Sequence, residues 1–421
     1  MLQKRDEEYI MNRIEKGVGG RPRRKLSTFL LCTAVIGLFG ASGCSDLLDV
    51  ENEQDVLEQD LNQEAALAPV VAGVAGDWAE MYSDAIGVIG VVSFELIHTG
   101  SWPSWRLVET GLLDRISAGN GMYDDMARSI WVADDAARRI DESFGGTIAE
   151  GAEVRVWAGF AKVMLADNYC EGSYQGGGVQ PPSFFYTMAE EDFTEAMSIA
   201  QAAGEPEWAL RARAGRARAR LMMGDYAGAR SDAQAIPGGF RFEAIYSMNS
   251  GREFNSVASV TRTLTRREAG IHPYFYENPL YVADPRTPFI DRGPLETGPD
   301  PTRQYVEQEK YKLESDPIPV TTWQEARLME AEAEINIGTL DRAVELINEV
   351  RAYWSLDPYA GEMTTSAVMD QLMYERSAEL WLQGHRLNDL RRTNSPMLSG
   401  RDACFDIGEN EWTSNANLGG G

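Results

Sequence analysis

The chain has 421 residues, 43% hydrophobic and 10% aromatic, with a formal net charge of -26 at pH 7. That composition excludes wholesale disorder, and the length allows one large helical domain or two smaller ones. So acidic a surface repels phosphate backbones and acidic polymers, which disfavours nucleic-acid binding and leaves neutral or cationic ligands compatible.

The charge is unevenly placed. Residues 1–43 hold 8 Lys/Arg and 4 Asp/Glu, leaving 31 basic and 61 acidic residues from Cys44 onward. A basic cluster, Arg21-Pro22-Arg23-Arg24-Lys25, precedes a 13-residue apolar run from Phe29 to Ala41, and Ser42-Gly43-Cys44 follows. Basic flank, short apolar core and small residues describe a secretory signal over residues 1–43. As a helix the run spans roughly 20 Å, short of the ~30 Å hydrocarbon core, so a membrane-spanning anchor is the weaker reading. The segment "ASGC" resembles the lipobox of bacterial lipoproteins, which implies cleavage before Cys44 and acylation of its thiol. Residues 44–60, rich in Asp and Glu, then read as an acidic tether, and residues 61–421 as one domain. Of four cysteines, Cys32 leaves with the signal and Cys44 carries lipid. Cys170 and Cys404 remain in an oxidising compartment, either bridged or as two separate buried thiols.

Next in the chain, "HTGSWPSWRLVETG" (His98 to Gly111) sets Trp102 and Trp105 on either side of Pro103, which argues against a regular helix. Two loop tryptophans form a stacking surface for a flat ligand face such as a sugar ring, or else they anchor the loop in the core.

From residue 120 the pattern is helical. Met122, Met126, Ile130 and Ala133 recur at near-helical spacing; Glu153 to Asn168 gives a second helix. Phe193, Ala196, Met197 and Ala200 line a face of a third, with Gly204 as its stop. Trp131, Trp157, Trp208, Trp323 and Trp381 fall in such patterns and are expected in the core.

Two stretches, 153–237 and 322–393, read as helical hairpins that resemble tetratricopeptide helix–turn–helix units. Gly224 precedes Ala229 as Gly338 precedes Ala343, with Tyr226 and Leu340 in the same slot. Glycine permits the tight turn, and alanine lets two helices approach. Between the hairpins, residues 238–321 read as a loop-rich region. Gly270 to Val320 holds 9 of the 18 prolines, with Tyr274, Phe275, Tyr276 and Tyr281 to pack it or to face a ligand.

Catalytic chemistry finds little support. Glu375 and Glu379 share a helix face, as a glycosidase pair would, but surrounding arginines should keep both ionised and make them ion-pair partners. His385 lies four residues before Asp389 without a G-x-S-x-G nucleophile. His98, His272 and His385 are widely separated, so no metal spacing exists, and no phosphate- or dinucleotide-binding loop occurs, so no cofactor is implied. Gly384 reads as the helix stop.

One segment carries a family resemblance. "YERSAELWLQGHRLNDLRRT", Tyr374 to Thr393, is similar to the E-R-x-x-E-L-x-x-E-G-x-R-x-x-D-L-R-R signature of the SusD/RagB family. Glu375, Arg376, Glu379, Leu380, Gly384, Arg386, Asp389, Leu390, Arg391 and Arg392 match, and Gln383 replaces a usual Glu. The approach from Lys310 to Gly338 and the closing "FDIGENEWTSNANL" also look like that family. The resemblance implies an all-α, mainly helical scaffold with tetratricopeptide-like hairpins and a loop-rich, ligand-facing region. It further implies a non-catalytic, surface-exposed outer-membrane lipoprotein that passes an oligosaccharide or peptide to a TonB-dependent SusC-like transporter. A tetratricopeptide-type envelope scaffold and a surface glycoside hydrolase are the competing readings. No family pocket motif transfers, so Trp102 and Trp105 rest on their own chemistry.

Overall fold

A computed structural model describes residues 58–262 and 265–418; the signal run, Cys44 and most of the tether lie outside the described residues. Fifteen α-helices and six short strands make up the described chain. Helix α1 (Glu64–Val92) leads through β1 (Leu96–His98) to α2 (Pro103–Thr110), α3 (Gly119–Phe144) and α4 (Ala149–Asn168). Then come α5 (Pro182–Ala203), α6 (Pro206–Met222) and α7 (Tyr226–Gln234). The middle region holds β2 (Arg241–Ala244), α8 (Ser256–Thr261), β3 (Ala269–Ile271), α9 (Pro273–Tyr276), α10 (Pro279–Val282), β4 (Phe289–Ile290), β5 (Glu307–Gln308) and β6 (Ile318–Thr322). The last helices are α11 (Trp323–Ile337), α12 (Leu340–Tyr353), α13 (Thr365–Glu379), α14 (Arg386–Arg392) and α15 (Glu409–Ser414). None of the described helices is long and apolar enough to cross a membrane.

Consecutive helices from α3 to α7 pack on one another, and α1 lies against α3 and α4. Phe193 on α5 sets the spacing. Its ring fits between Gly159 of α4 and Gly215 of α6; a Cβ on residue 159 would lie 2.6 Å from it, and one on residue 215 would also clash. Small residues opposite a large ring let three helices share one layer at near-crystal packing density.

The second hairpin builds its own core: Leu328, Ala331, Ala343, Leu346, Val368 and Leu372 of α11, α12 and α13 interlock. Each of these helices starts on a threonine whose hydroxyl accepts a backbone N–H in the first turn: Thr322, Thr339 and Thr364. Such caps satisfy donors the helix cannot, each contributing about 1 kcal/mol. Ala229 and Ala343 are both fully buried, as their matching positions require. The two turns differ, however. Gly224 is left-handed at φ 78°, whereas Gly338 turns at φ -120°.

The hairpins meet where α7 packs on α11. Nearby, Arg218 of α6 grips Glu325 of α11 through Nε and Nη2, both at 2.8 Å. Both side chains are buried, and Arg218 also donates to the Val320 carbonyl at 2.6 Å. Burial alone would raise the Glu325 pKa; Arg218 more than reverses this.

The middle region is more ordered than its prolines imply. Three two-stranded antiparallel sheets order it: β1–β3 ties it to the segment after α1, β2–β6 brings its two ends together beside α11, and β4–β5 lies within it. Phe275 and Tyr281 turn inward, with ring centroids 4.5 Å apart, and Phe275 meets the buried Trp381 at 5.8 Å.

Two expectations need correction. Residues 103–110 are helical after all: Pro103 occupies the first turn, where its missing N–H costs nothing. Trp131 is 58% exposed. It stands one residue past Ile130, about 100° off the buried Met122–Met126–Ile130–Ala133 stripe. Trp157 and Trp381 are buried, and Trp208 and Trp323 half-buried. Cys170 and Cys404 are joined by a disulfide, with Cα atoms 5.2 Å apart. It sits beside a backbone bridge between Tyr169 and Phe405 that holds the C-terminal segment to the end of α4.

Candidate functional site

The charged segment around α13 and α14 is a largely buried ion-pair frame. Helix α13 ends at Glu379, five residues before the expected stop at Gly384. Leu382 and Gly384, both at positive φ, then reverse the chain into α14. Glu375 is fully buried. It accepts from Arg286 at 2.6 Å, Arg351 at 2.5 Å and Gln371 at 2.6 Å. Glu379 accepts from the Trp354 indole N–H at 2.7 Å, with Arg286 3.8 Å away. Burial raises the Glu379 pKa, and Arg286 and Lys310 only partly offset it. Arg286 and Arg351 bond Glu375, whereas Glu379 has Arg286 only at 3.8 Å. Asp389 is the opposite case. Burial works against its charge, but Arg376 at 2.9 Å and Arg392 at 2.8 Å prevail and hold it well below the usual carboxylate range. Arg392 also clamps both oxygens of Glu332.

Two motif arginines depart from the expected ion-pair role. Among the described residues, neither Arg386 nor Arg391 has a carboxylate within 4.0 Å. Arg386 donates to the Ser93 carbonyl at 2.9 Å and to Ser377 Oγ; Arg391 donates to the Ala166 carbonyl at 2.9 Å. His385 is buried, and burial followed by the nearby Arg218 pushes its pKa down to about 3. A buried imidazole whose pKa is pushed down and two carboxylates held by side-chain donors are placed as a structural strut.

Trp102 and Trp105 sit at the start of α2, with rings 5.2 Å apart and crossed at 70°. Their surroundings differ. Trp105 is inserted against Gly87 of α1 and joins the main core. Trp102 is half-buried, and the Arg266 guanidinium lies 5.5 Å from its ring. The backbone beneath is held firmly. Trp102 N–H donates to His98 Nε2 at 3.2 Å, and Ser101 N–H to Glu268 at 2.7 Å. Burial, then Arg106 and Arg303, lowers the His98 pKa to about 4, so its nitrogen is a free acceptor at neutral pH. At the rim, Asp300 accepts from Arg106 at 2.6 Å and from Thr302 at 2.9 and 2.6 Å. The Thr302 hydroxyl and N–H, together with Arg106, hold its carboxyl well below the usual range. A half-exposed indole with a guanidinium 5.5 Å from its ring can stack a flat apolar face. Glu268 and Asp300 carry no sequence signal for these contacts, because they meet Ser101 and Arg106 from more than 160 positions away.

This is a helical-hairpin scaffold that locks its last helices with buried charge, a fold shared with SusD-like proteins. Residues 302–411 match the SusD family model. A laminarin binding SusD-like protein aligns with a TM-score of 0.65 at 16% identity, over 83% of this chain and 98% of that one. A SusD homolog from Bacteroides thetaiotaomicron aligns with a TM-score of 0.66 at 14% identity, over 85% and 96%. For a SusD-like carbohydrate binding protein from Bacteroides vulgatus the values are 0.65, 13%, 84% and 97%. No curated protein matches the sequence. Over residues 302–411 the chain matches the SusD family model, and its fold is that of the SusD-like structures.

Proposed function

We propose that this protein is a non-catalytic, surface-exposed outer-membrane lipoprotein, anchored through Cys44, that binds a nutrient and delivers it to a TonB-dependent SusC-like transporter. The nutrient is an oligosaccharide or a peptide. The observation that carries this reading is Trp102. It is half-exposed on a backbone pinned by His98 and Glu268, with the Arg266 guanidinium 5.5 Å from its ring. The family match over residues 302–411 and structural neighbours described as laminarin binding and carbohydrate binding support it. A shallow site of this kind binds modestly alone and gains from the effective concentration that a transporter partner provides. The test is purification of the chain from outer membranes, identification of the barrel protein that accompanies it, and titration of the complex with neutral oligosaccharides and peptides. Recovery without a barrel partner, and without binding of either class, would sink this reading.

A further inference from the structure

A groove of about 550 Å³ runs between α1 and β2. Its floor is a small-residue face of α1, formed by Ala72, Ala75, Gly76 and Ala79, and Trp157 and Trp208 add aromatic surface. The facing wall is five consecutive residues, 241–245. Alternate residues of a strand point to opposite faces, so a groove lined by consecutive ones follows the edge of the strand. A hollow of about 420 Å³ beside the loop 247–253 continues it, sharing Ala72, Gly76, Ala79 and Ile245. A Cβ on Gly73 or Gly76 would meet nothing within 4 Å, so another backbone can approach the floor closely.

The edge of β2 that lines this groove is bare. The strand pairs with β6 in a two-stranded sheet. The Phe240 carbonyl accepts from Trp323 N–H at 2.9 Å, which sets the phase of the ladder. Phe240 is bonded toward β6, so Arg241 turns its N–H and C=O to the other side. Outside that ladder, no backbone hydrogen bond among the described residues reaches residues 241–245. Neighbouring strands are better covered. Tyr82 Oη donates to the Pro319 carbonyl of β6 at 2.8 Å, and Ile271 N–H of β3 donates to the Val306 carbonyl at 2.8 Å. Open edges are ordinarily blunted by charge or by a covering element. Here Arg241 and Glu243 neutralise each other at 2.7 Å, while Ile245 and Met248 are 73% and 68% exposed.

These features select the occupant. An open strand edge is completed by an extended backbone, which supplies alternating donors and acceptors. A helix would leave the edge unpaired. The alanine and glycine floor admits small side chains, and Trp208 and Ile245 favour apolar ones. Glu153 and Glu243 are balanced by Arg211 and Arg241 along the lining, so no net charge is called for.

We infer that the groove between α1 and β2 docks an extended, uncharged peptide segment of small and apolar residues as a third strand on the outer edge of β2. The assignment uses none of the Trp102 surface and holds whether or not the chain serves an importer.

Calorimetric titration of the full chain with acetyl-Ala-Val-Ala-Val-Ala-amide tests it, beside two analogues N-methylated at alternate residues in opposite phase. The parent peptide binds. One N-methylated phase binds at least about tenfold more weakly and the other does not, because a strand presents every second amide to its neighbour. Gly76→Leu fills the floor from an exposed helical position, so it weakens the peptide at least about tenfold without lowering the unfolding temperature. Should that variant fail to fold, the two N-methylated phases decide. No binding at millimolar peptide, equal affinity of the two phases, or wild-type affinity in a folded Gly76→Leu overturns the site. A dimer in sedimentation that the peptide dissociates overturns the peptide assignment and gives the edge to a second copy of the chain.

Discussion

Trp105 lies so close to Gly87 that a Cβ on the glycine would stand 2.7 Å from Cη2 of the indole. This contact separates two tryptophans that are three residues apart. Both are half-buried, but only Trp105 is keyed into α1, while Trp102 has the Arg266 guanidinium beside its ring. The ligand-surface and core-anchor readings of the pair are therefore divided between its members, with Trp102 proposed for the first and Trp105 packed as the second.

Substitution should split them. Trp105→Ala leaves a void against α1 and lowers unfolding free energy by about 3 kcal/mol. Gly87→Ala forces the ring aside at a cost of about 1–3 kcal/mol. Trp102→Ala leaves the denaturation midpoint within experimental error and weakens ligand binding about tenfold. Chemical denaturation and titration of the three variants check this; a destabilised Trp102→Ala would place both residues in the core.

The Arg218–Glu325 pair joins the two hairpins across 107 positions and is fully enclosed. Glu325→Ala strands a buried guanidinium and should cost about 3–5 kcal/mol. Replacing both partners, Arg218→Met with Glu325→Leu, should cost less than the single change. Urea unfolding of single and double variants measures the difference.

Glu95 gives a pH signature of definite sign. Burial raises its pKa to about 7 from 4.5, against the opposing Leu382 N–H and Arg386. The folded state therefore holds a proton that the unfolded state has lost between pH 4.5 and 7, and stability from this group falls as pH rises through that window. Glu95→Gln keeps an acceptor for Leu382 without the titration. Relative to wild type it should gain about 3 kcal/mol between pH 5 and pH 8. A constant difference across that range would refute the buried, proton-holding carboxyl.

The Cys170–Cys404 bond closes a loop with a sequence separation of 234 residues. Reduction, or Cys404→Ser, should cost about 2–4 kcal/mol. It should also expose the segment after α14 to proteolysis before the helical body. Thermal unfolding with and without reductant, followed by limited digestion, checks both parts.

Much of the helical body was legible because its signals are local. The stripe Met122–Met126–Ile130–Ala133, the stop at Gly204 and the hairpin alanines Ala229 and Ala343 depend on spacing within a few turns, and helical geometry converts spacing into a face. Local signals also misled. Pro103 was read as a helix breaker where it is a helix starter, and Gly384 as the end of a helix that had stopped at Glu379.

By itself the sequence determined the helical class and carried the charged segment that resembles the SusD/RagB signature, since each lies in a continuous stretch. Tertiary structure alone decided what those charges and rings do. Arg286, distant in sequence, reaches Glu375 at 2.6 Å, and Gly87 makes room for Trp105 but not for Trp102. Arg386, one of several similar arginines in the string of letters, becomes the one whose Nη2 has only a thioether to meet. Burial and partnership set a side chain's chemistry, and both are fixed by residues that only folding brings together.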